Sequence, residues 1–280
     1  MSSCCGMSLK AAAFDLDDTL LRDDLSVSSL TLKVFRELHH RGFLFVAASG
    51  RTLMSMKPFT DLLGCVSLCI ACNGAVIWDP SDCRILHRET FSVDLCHEIA
   101  RFGNEFGCYA QTYSDDRFYF NEVSDYSRRY AASSMLPGEY VGNLELYIRE
   151  PRTKILMMAD EEKIRKMLVL ARKRFSGRAS VTSSKPWFLE FNPPNATKGV
   201  ALSKVADLLG LCPDNFIAFG DSLNDLPMLA AAGCSVAVAN AWPEVKKVCA
   251  RTCLSNQEDG VAKYLADCFL NKGERHDLCS

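Results

Sequence analysis

Residues 14 to 20 read Phe-Asp-Leu-Asp-Asp-Thr-Leu and follow the apolar run Ala11-Ala12-Ala13. A short buried strand therefore ends on two carboxylates, Asp15 and Asp17, with Thr19 after them. Side chains at i and i+2 of an extended backbone project to the same side. Two carboxylates held that close repel each other unless a cation or a shared proton compensates. A core strand has no use for such an end, whereas a site that binds a divalent metal and handles phosphate does.

Composition narrows the function classes. The 280 residues suffice for one large or two modest domains, and the formal net charge is −2 with no long basic run. Nucleic acid is thereby disfavoured as a main partner, because binding a phosphate backbone needs clustered positive charge. Nothing approaches the ~18 apolar residues that span a bilayer, so no membrane partner is expected. Met1 to Lys10 carries no hydrophobic core segment of a secretory signal. The 14 cysteines lack a repeated framework: Cys69 and Cys72 make one C-x-x-C, with no second pair or nearby histidine to complete a zinc set. Buried free thiols fit a reducing, cytoplasmic compartment. Cys4-Cys5 has no neighbouring anchor that would support acylation.

Strand and helix signals alternate at the start of the chain. An apolar strand over 11–16 is followed by a helix capped near Ser28 or Ser29, with Leu30, Val34 and Leu38 on one face and Gly42 as its stop. A buried strand at 43–48, a helix at 52–63 with Pro58 inside it, and a strand at 67–72 come next. Such alternation predicts parallel strands with right-handed crossovers. The pattern changes at Asp79-Pro80-Ser81-Asp82. Beyond it we expect helices over 92–106, 124–134 and 161–175, and strands near 108–113, 117–121, 144–148, 154–159, 178–182 and 187–191. Asn192-Pro193-Pro194-Asn195 closes this block, and strand–helix alternation then returns. The expected organisation is a discontinuous α/β domain, 1–80 plus 195–280, with an inserted α+β domain over 83–192.

Four segments end apolar strands or open helices with polar groups: Asp15-Leu16-Asp17-Asp18-Thr19, Ser49-Gly50-Arg51, Lys198-Gly199 and Gly220-Asp221-Ser222-Leu223-Asn224-Asp225. Ligands of open parallel sheets bind beyond the carboxyl ends of the strands. There Asp15 and Asp221 can offer carboxylates to Mg²⁺, a cation that takes hard oxygen ligands. Lys198 can offer a positive charge and Ser49 a hydroxyl, as phosphoryl transfer requires. Each segment alone is equally a turn, a cap or a loop. Together and in this order they are not. His39-His40, late in a helix, and Met157-Met158, in a strand, read as structural. Arg117, Tyr119, Arg128 and Arg129 are polar or aromatic candidates of the inserted block, each more readily a solvated face.

These segments resemble the four motifs of the haloacid dehalogenase superfamily, and the chain resembles its Cof-like phosphatases with a C2-type (C2B) cap. Asn73-Gly74-Ala75, Val238-Ala239-Asn240-Ala241 and Glu258-Asp259-Gly260-Val261 are also similar to segments of that group. The resemblance covers nearly the whole chain. It implies a Rossmann-like, doubly wound parallel sheet with the inserted block as cap, and Mg²⁺-dependent hydrolysis of small phosphorylated metabolites, sugar phosphates above others. By the same resemblance Asp15 is the nucleophile and Asp17 the general acid/base. Asp15, the Asp17 backbone carbonyl and Asp221 hold Mg²⁺, and Asp225 steadies the site from behind. Ser49, Gly50, Lys198 and Asn224 hold the phosphoryl group, while Arg51 and Asn73 reach the substrate or the cap. A phosphotransferase resembling phosphomannomutase, or a non-catalytic phospho-ligand-binding protein on the same scaffold, are the competing readings. The oligomeric state is left open between monomer and homodimer.

Overall fold

The structure, a computed structural model, describes residues 9–114 and 116–271; Cys4 and Cys5 lie outside the described residues. Ala11–Phe14 (β1) is buried at every position, the condition of a central strand in a parallel sheet. Ser29–His40 (α1) follows, its start fixed by the Ser28 hydroxyl, which accepts the Thr31 N–H at 3.0 Å. Leu44–Ala48 (β2) then lies parallel to β1. Phe35 of α1 stacks on Phe45 of β2 at 4.3 Å and meets Phe14 of β1 edge-on at 5.2 Å, which pins the helix to the sheet.

Leu53–Leu63 (α2) runs unshortened through Pro58. The N–H that proline lacks would have bonded to the carbonyl of Met54, an exposed residue. Leu68–Ala71 (β3) pairs in parallel with β2 and turns back through Val76–Asp79 (β4) and Arg84–Arg88 (β5), both antiparallel. This corrects the expected start of the insert at residue 83. Asp79-Pro80-Ser81-Asp82 is the turn of a hairpin, and β5 closes the edge of the first sheet over the fully buried Ile77 and Trp78.

The chain then builds a second sheet from Val93–Glu105 (α3), Tyr109–Tyr113 (β6), Phe118–Phe120 (β7), Asp125–Ser134 (α4), Gly138–Tyr140 (β8), Leu144–Tyr147 (α5), Ile155–Met158 (β9), Glu161–Arg174 (α6), Ser180–Thr182 (β10) and Phe188–Asn192 (β11). Its strand order is β10-β11-β9-β6-β7-β8. At 144–148 a helical turn replaces the expected strand, because the Asn143 side chain accepts the Glu145 N–H at 2.9 Å and caps it. One face packs Ile155, Met157, Leu189 and Phe191 with α3 and α6. The other carries Tyr109, Tyr113, Leu156 and Met158, with Tyr130 of α4 and Phe188 packed against them. Met157 and Met158 thus serve opposite faces of the strand.

Lys198–Leu208 (α7), Phe216–Gly220 (β12), Leu226–Ala231 (α8), Cys234–Ala237 (β13), Pro243–Val248 (α9), Arg251–Thr252 (β14) and Gly260–Phe269 (α10) return to the first sheet. Its order is β14-β13-β12-β1-β2-β3-β4-β5, parallel from β14 to β3. The chain leaves β1 towards β2 and β3 but leaves β12 towards β13 and β14, so β1 and β12 flank the point where a doubly wound sheet reverses direction.

The turn between β3 and β4 meets the segment that returns from the second sheet at Gly74. This glycine has φ +111°, and a Cβ there would lie 2.4 Å from the Thr197 carbonyl oxygen. Neither the dihedral nor the space admits a side chain. Gly74→Ala is expected to lower stability by about 3 kcal/mol, read as a lower urea midpoint at unchanged m-value; an unchanged midpoint would refute the close approach.

Candidate active site

Asp15 follows β1 and Asp221 follows β12, so the reversal of strand order places both at one crevice. The Asp15 N–H donates to Phe219 O at 3.1 Å, which extends the sheet to the edge of the site. Ser49 follows β2, Asn73 follows β3, and Lys198 opens α7 behind its Thr197 cap. Oxygens of Asp15, Asp221 and Asp225 all lie within 4.8 Å of one another. The Lys198 ammonium donates to Asp15 Oδ1 at 2.5 Å and to Asp225 Oδ1 at 2.6 Å. Asp225 Oδ2 accepts the N–H groups of Asp221 and Ser222 at 2.9 and 3.0 Å, and Thr19 donates to Asp221 Oδ1 at 2.9 Å. Asp15 and Asp17 both keep extended dihedrals, and Asp18 turns the chain with φ 60°.

All four charged groups of this cluster are buried, three carboxylates against one ammonium. Burial pushes Asp15 up, opposed by Lys198 and reinforced by Asp225 and Asp17. Burial together with Asp225 and Asp15 pushes Asp221 up as well. Burial alone would lower Lys198, but Asp15 and Asp225 outweigh it and hold the ammonium above its usual value. Excess negative charge on hard oxygen donors is what a divalent cation compensates, so the residues present fit Mg²⁺.

Asp17 stands apart from this cluster. Arg51 grips its carboxylate with two bonds, Nε to Oδ2 at 2.8 Å and Nη2 to Oδ1 at 2.7 Å. Burial raises Asp17, but the charge and hydrogen bonds of Arg51 outweigh burial and hold it below the usual carboxylate range. The proton that the resemblance places on Asp17 is therefore not held in this arrangement, and the Asp17 carboxylate is not a member of the metal cluster. Arg51 also donates through Nη1 to Ser55 Oγ and to Ser133 O, each at 2.9 Å, so it reaches the inserted block.

Asn73 reaches that block too. Its Nδ2 donates to Asn192 Oδ1 at 2.9 Å and its Oδ1 accepts from Asn224 Nδ2 at 3.0 Å. Ser49 accepts the Arg51 N–H at 3.1 Å through its hydroxyl oxygen. A cavity of about 240 Å³ opens over these groups, walled by Asp15, Asp17, Ser49, Gly50, Arg51 and Asn224 on one side. Asn73, Lys198 and Asp221 are not on its wall.

Tyr130, Lys154, Lys185, Phe188 and Glu190 of the inserted block form the opposite wall. Lys185 reaches across to Asp18 at 3.0 Å. The four candidates read from the sequence of this block lie elsewhere: Arg128 pairs with Asp125, Arg117 faces Asp116 and Glu139, Tyr119 packs at a tilt against Tyr147, and Arg129 borders a different depression. Glu190 did carry a signal, as the one charge within Phe-Leu-Glu-Phe-Asn of an otherwise apolar strand.

Known proteins establish the family. The profile of the family described as haloacid dehalogenase-like hydrolase matches residues 12–265, and the chain belongs to that superfamily, among its Cof-type phosphatases. It is 31% identical over 257 residues to the 5-amino-6-(5-phospho-D-ribitylamino)uracil phosphatase YcsE of Bacillus subtilis, spanning 92% of this chain and 94% of that one. It is 27% identical to the HMP-PP phosphatase of Serratia proteamaculans, over 85% and 87% of the two chains. A haloacid dehalogenase-like hydrolase from Bacteroides thetaiotaomicron superposes with a TM-score of 0.82 at 25% identity, covering 94% of this chain and all of that one. The protein is accordingly a phosphoric monoester hydrolase of this superfamily. Among the described residues no helix is long and apolar enough to cross a membrane.

Lys198→Met removes the one ammonium that, among the described residues, bonds to Asp15 and Asp225, and leaves buried carboxylates uncompensated. We expect a loss of about 3–5 kcal/mol in unfolding free energy, measured by denaturant titration without added metal. A loss below about 1 kcal/mol would show that the pair acts like an exposed one.

Proposed function

We propose that the protein hydrolyses phosphate monoesters of small metabolites, sugar phosphates above others, through an aspartyl-phosphate on Asp15 and with Mg²⁺. The observation that carries this reading is the buried convergence of Asp15, Asp221 and Asp225 with Lys198 at the carboxyl ends of β1 and β12, beneath a cavity. Lys198 engages Oδ1 of Asp15, so attack on phosphorus falls to Oδ2. The Ser49 hydroxyl, the Gly50 N–H and the Asn224 amide orient the phosphoryl oxygens. Mg²⁺, held by the Asp15 and Asp221 carboxylates and the Asp17 carbonyl with Asp225 behind them, would supply Lewis-acid neutralisation of those oxygens.

Asp17 gives a proton to the leaving oxygen and takes one from the attacking water. It must first leave Arg51, which keeps it ionised. Arg51 is tied to Ser133 at the end of α4, so movement of the inserted block bears on this pair directly. The ribityl phosphate in the name of the Bacillus subtilis relative supports a polyol or sugar leaving group. Buried free thiols at Cys65, Cys96 and Cys108, pushed up to about 11 mainly by burial, support a reducing, cytoplasmic setting.

A phosphate-release screen over sugar phosphates, nucleotides and a generic aryl phosphate tests the reading. Turnover is expected to vanish with chelator and return with Mg²⁺. Asp15→Asn should lower it by at least about a thousandfold while leaving the circular dichroism spectrum intact. Turnover retained by that variant would remove Asp15 as nucleophile. Appearance of the phosphoryl group on an added sugar, in place of inorganic phosphate, would make the protein a phosphotransferase.

A further inference from the structure

The inserted block brings to the cavity a buried ion pair that the phosphoryl chemistry does not use. Lys154, just ahead of β9, sends its ammonium to Glu190 Oε1 and to the Gly50 carbonyl, the latter at 2.8 Å. The two side chains are only 3% and 1% exposed. Alternation along β11 puts Glu190 on the face it shares with Phe188, towards α4 and the site. Its position is tight: a Cβ on Gly50 would lie 3.2 Å from Glu190 Oε1 and 3.1 Å from Asn73 Oδ1.

Three polar side chains near the pair, Tyr109, Gln111 and Tyr113, bond to one another. Tyr109 donates to Gln111 Oε1 and Gln111 donates to the Tyr113 hydroxyl, each at 2.6 Å. The Lys154 ammonium sits 5.7 Å from the centre of the Tyr113 ring. Two buried atoms here have no hydrogen-bond partner among the described residues: Thr182 Oγ1, opposite Glu190 in the β10–β11 register, and Oε2 of Glu190, the one of the two residues that lines the cavity. A carboxylate oxygen at that depth without a donor is costly. Lys154 neutralises the carboxylate as a charge, so it does not repel an incoming phosphate, yet Oε2 still demands a donor.

We propose that Glu190 Oε2 accepts a hydrogen bond from the alcohol portion of the substrate, which makes Glu190 a specificity-determining residue for esters whose leaving group carries a hydroxyl or amino N–H. The inference rests on the phosphatase reading above and names what that site selects. An ionised carboxylate cannot donate. A substrate with hydrogen, an ether or a carbonyl at the facing position therefore leaves Oε2 unpaired and is rejected, and a site built around a buried acceptor discriminates more strongly than an apolar one.

The test compares kcat/KM for hexose, pentose and amino-sugar phosphates with analogues that lack one hydroxyl or amino group at a time, all with Mg²⁺. In the wild type, one position should cost at least about tenfold when its donor is deleted; the hydroxyl and amino pairs show which donor it is. In Glu190→Gln the amide oxygen pairs with Lys154 and turns an NH₂ towards the cavity, so that ratio should collapse towards one, whatever the absolute rate. A wild-type panel in which no deletion costs more than about threefold overturns the proposal without any variant. So does a ratio unchanged in Glu190→Gln, the result expected if the pair merely positions Gly50. Absence of Mg²⁺-dependent release from every ester, the aryl phosphate included, would overturn the phosphatase reading and this one with it.

Discussion

The bridge from Lys198 to Asp15 and Asp225 is the contact on which the site depends. It joins residues 183 positions apart, and it is buried at both ends. An ammonium in that position is stable only because two carboxylates outweigh its desolvation, and two carboxylates so close are stable only because it stands between them. The backbone is shaped to deliver it. A Cβ on Gly199 would lie 2.2 Å from the Pro227 carbonyl oxygen, so α7 and α8 approach as closely as backbones allow. Thr197 caps α7 by accepting the Val200 N–H at 3.2 Å, which fixes where the helix, and hence Lys198, begins. One ammonium does not balance three carboxylates, and that remaining imbalance is what fits the cluster to a divalent cation.

From this cluster a run of side-chain hydrogen bonds leads into the inserted block. Ser222 donates to Asn224, Asn224 to Asn73, and Asn73 to Asn192 of β11, which in turn donates to the carbonyls of Cys72 and Thr153. Lys154 reaches the Gly50 carbonyl, and Arg51 and Ser55 reach the carbonyls of Ser133 and Ser134. The loops after β2 and β3 are thus held from both sides. Buried networks of this kind favour a single arrangement when every member is partnered, and here they set the geometry of the loop proposed to receive phosphate.

How much of this was legible in the sequence follows from the range of each interaction. β1 and its acidic end are visible because complete burial forces an apolar run, and any charge that ends the run stands out. The doubly wound core follows from the same rule applied to β2, β3 and β12, and the superfamily follows from the four polar segments in order. β5 was missed because an edge strand is half exposed, and Arg-Ile-Leu-His-Arg shows no alternation strong enough to outweigh the turn before it. The strand expected at 144–148 had the apolar content but not the context, since Asn143 is a better cap than strand residue. The far wall of the cavity was not legible as a set. Tyr130, Lys154, Lys185 and Glu190 meet only when one sheet is laid against another, and no local pattern encodes that. The role of Asn73 as a link between the two blocks was hidden for the same reason.

Asp15 and Asp17 began as a pair in need of a cation or a shared proton, and the structure gives each carboxylate a cation of its own. Asp15 has Lys198, within a cluster whose remaining negative charge raises it; Asp17 has Arg51, whose two bonds lower it. A carboxylate gripped by both prongs of a buried guanidinium cannot at the same time be the acid that protonates a leaving oxygen. Its proposed part in the chemistry therefore requires Arg51 to let go, and what can bear on Arg51 is what touches it: Ser55 of α2, the ring of Phe59 at 5.0 Å, and Ser133 O at the end of α4. The first two belong to α2, which packs on the first sheet. The third comes from the inserted block, as does Tyr130, whose charge also acts on Arg51, so in the proposed mechanism the block that frames the substrate is also the element placed to release the proton donor.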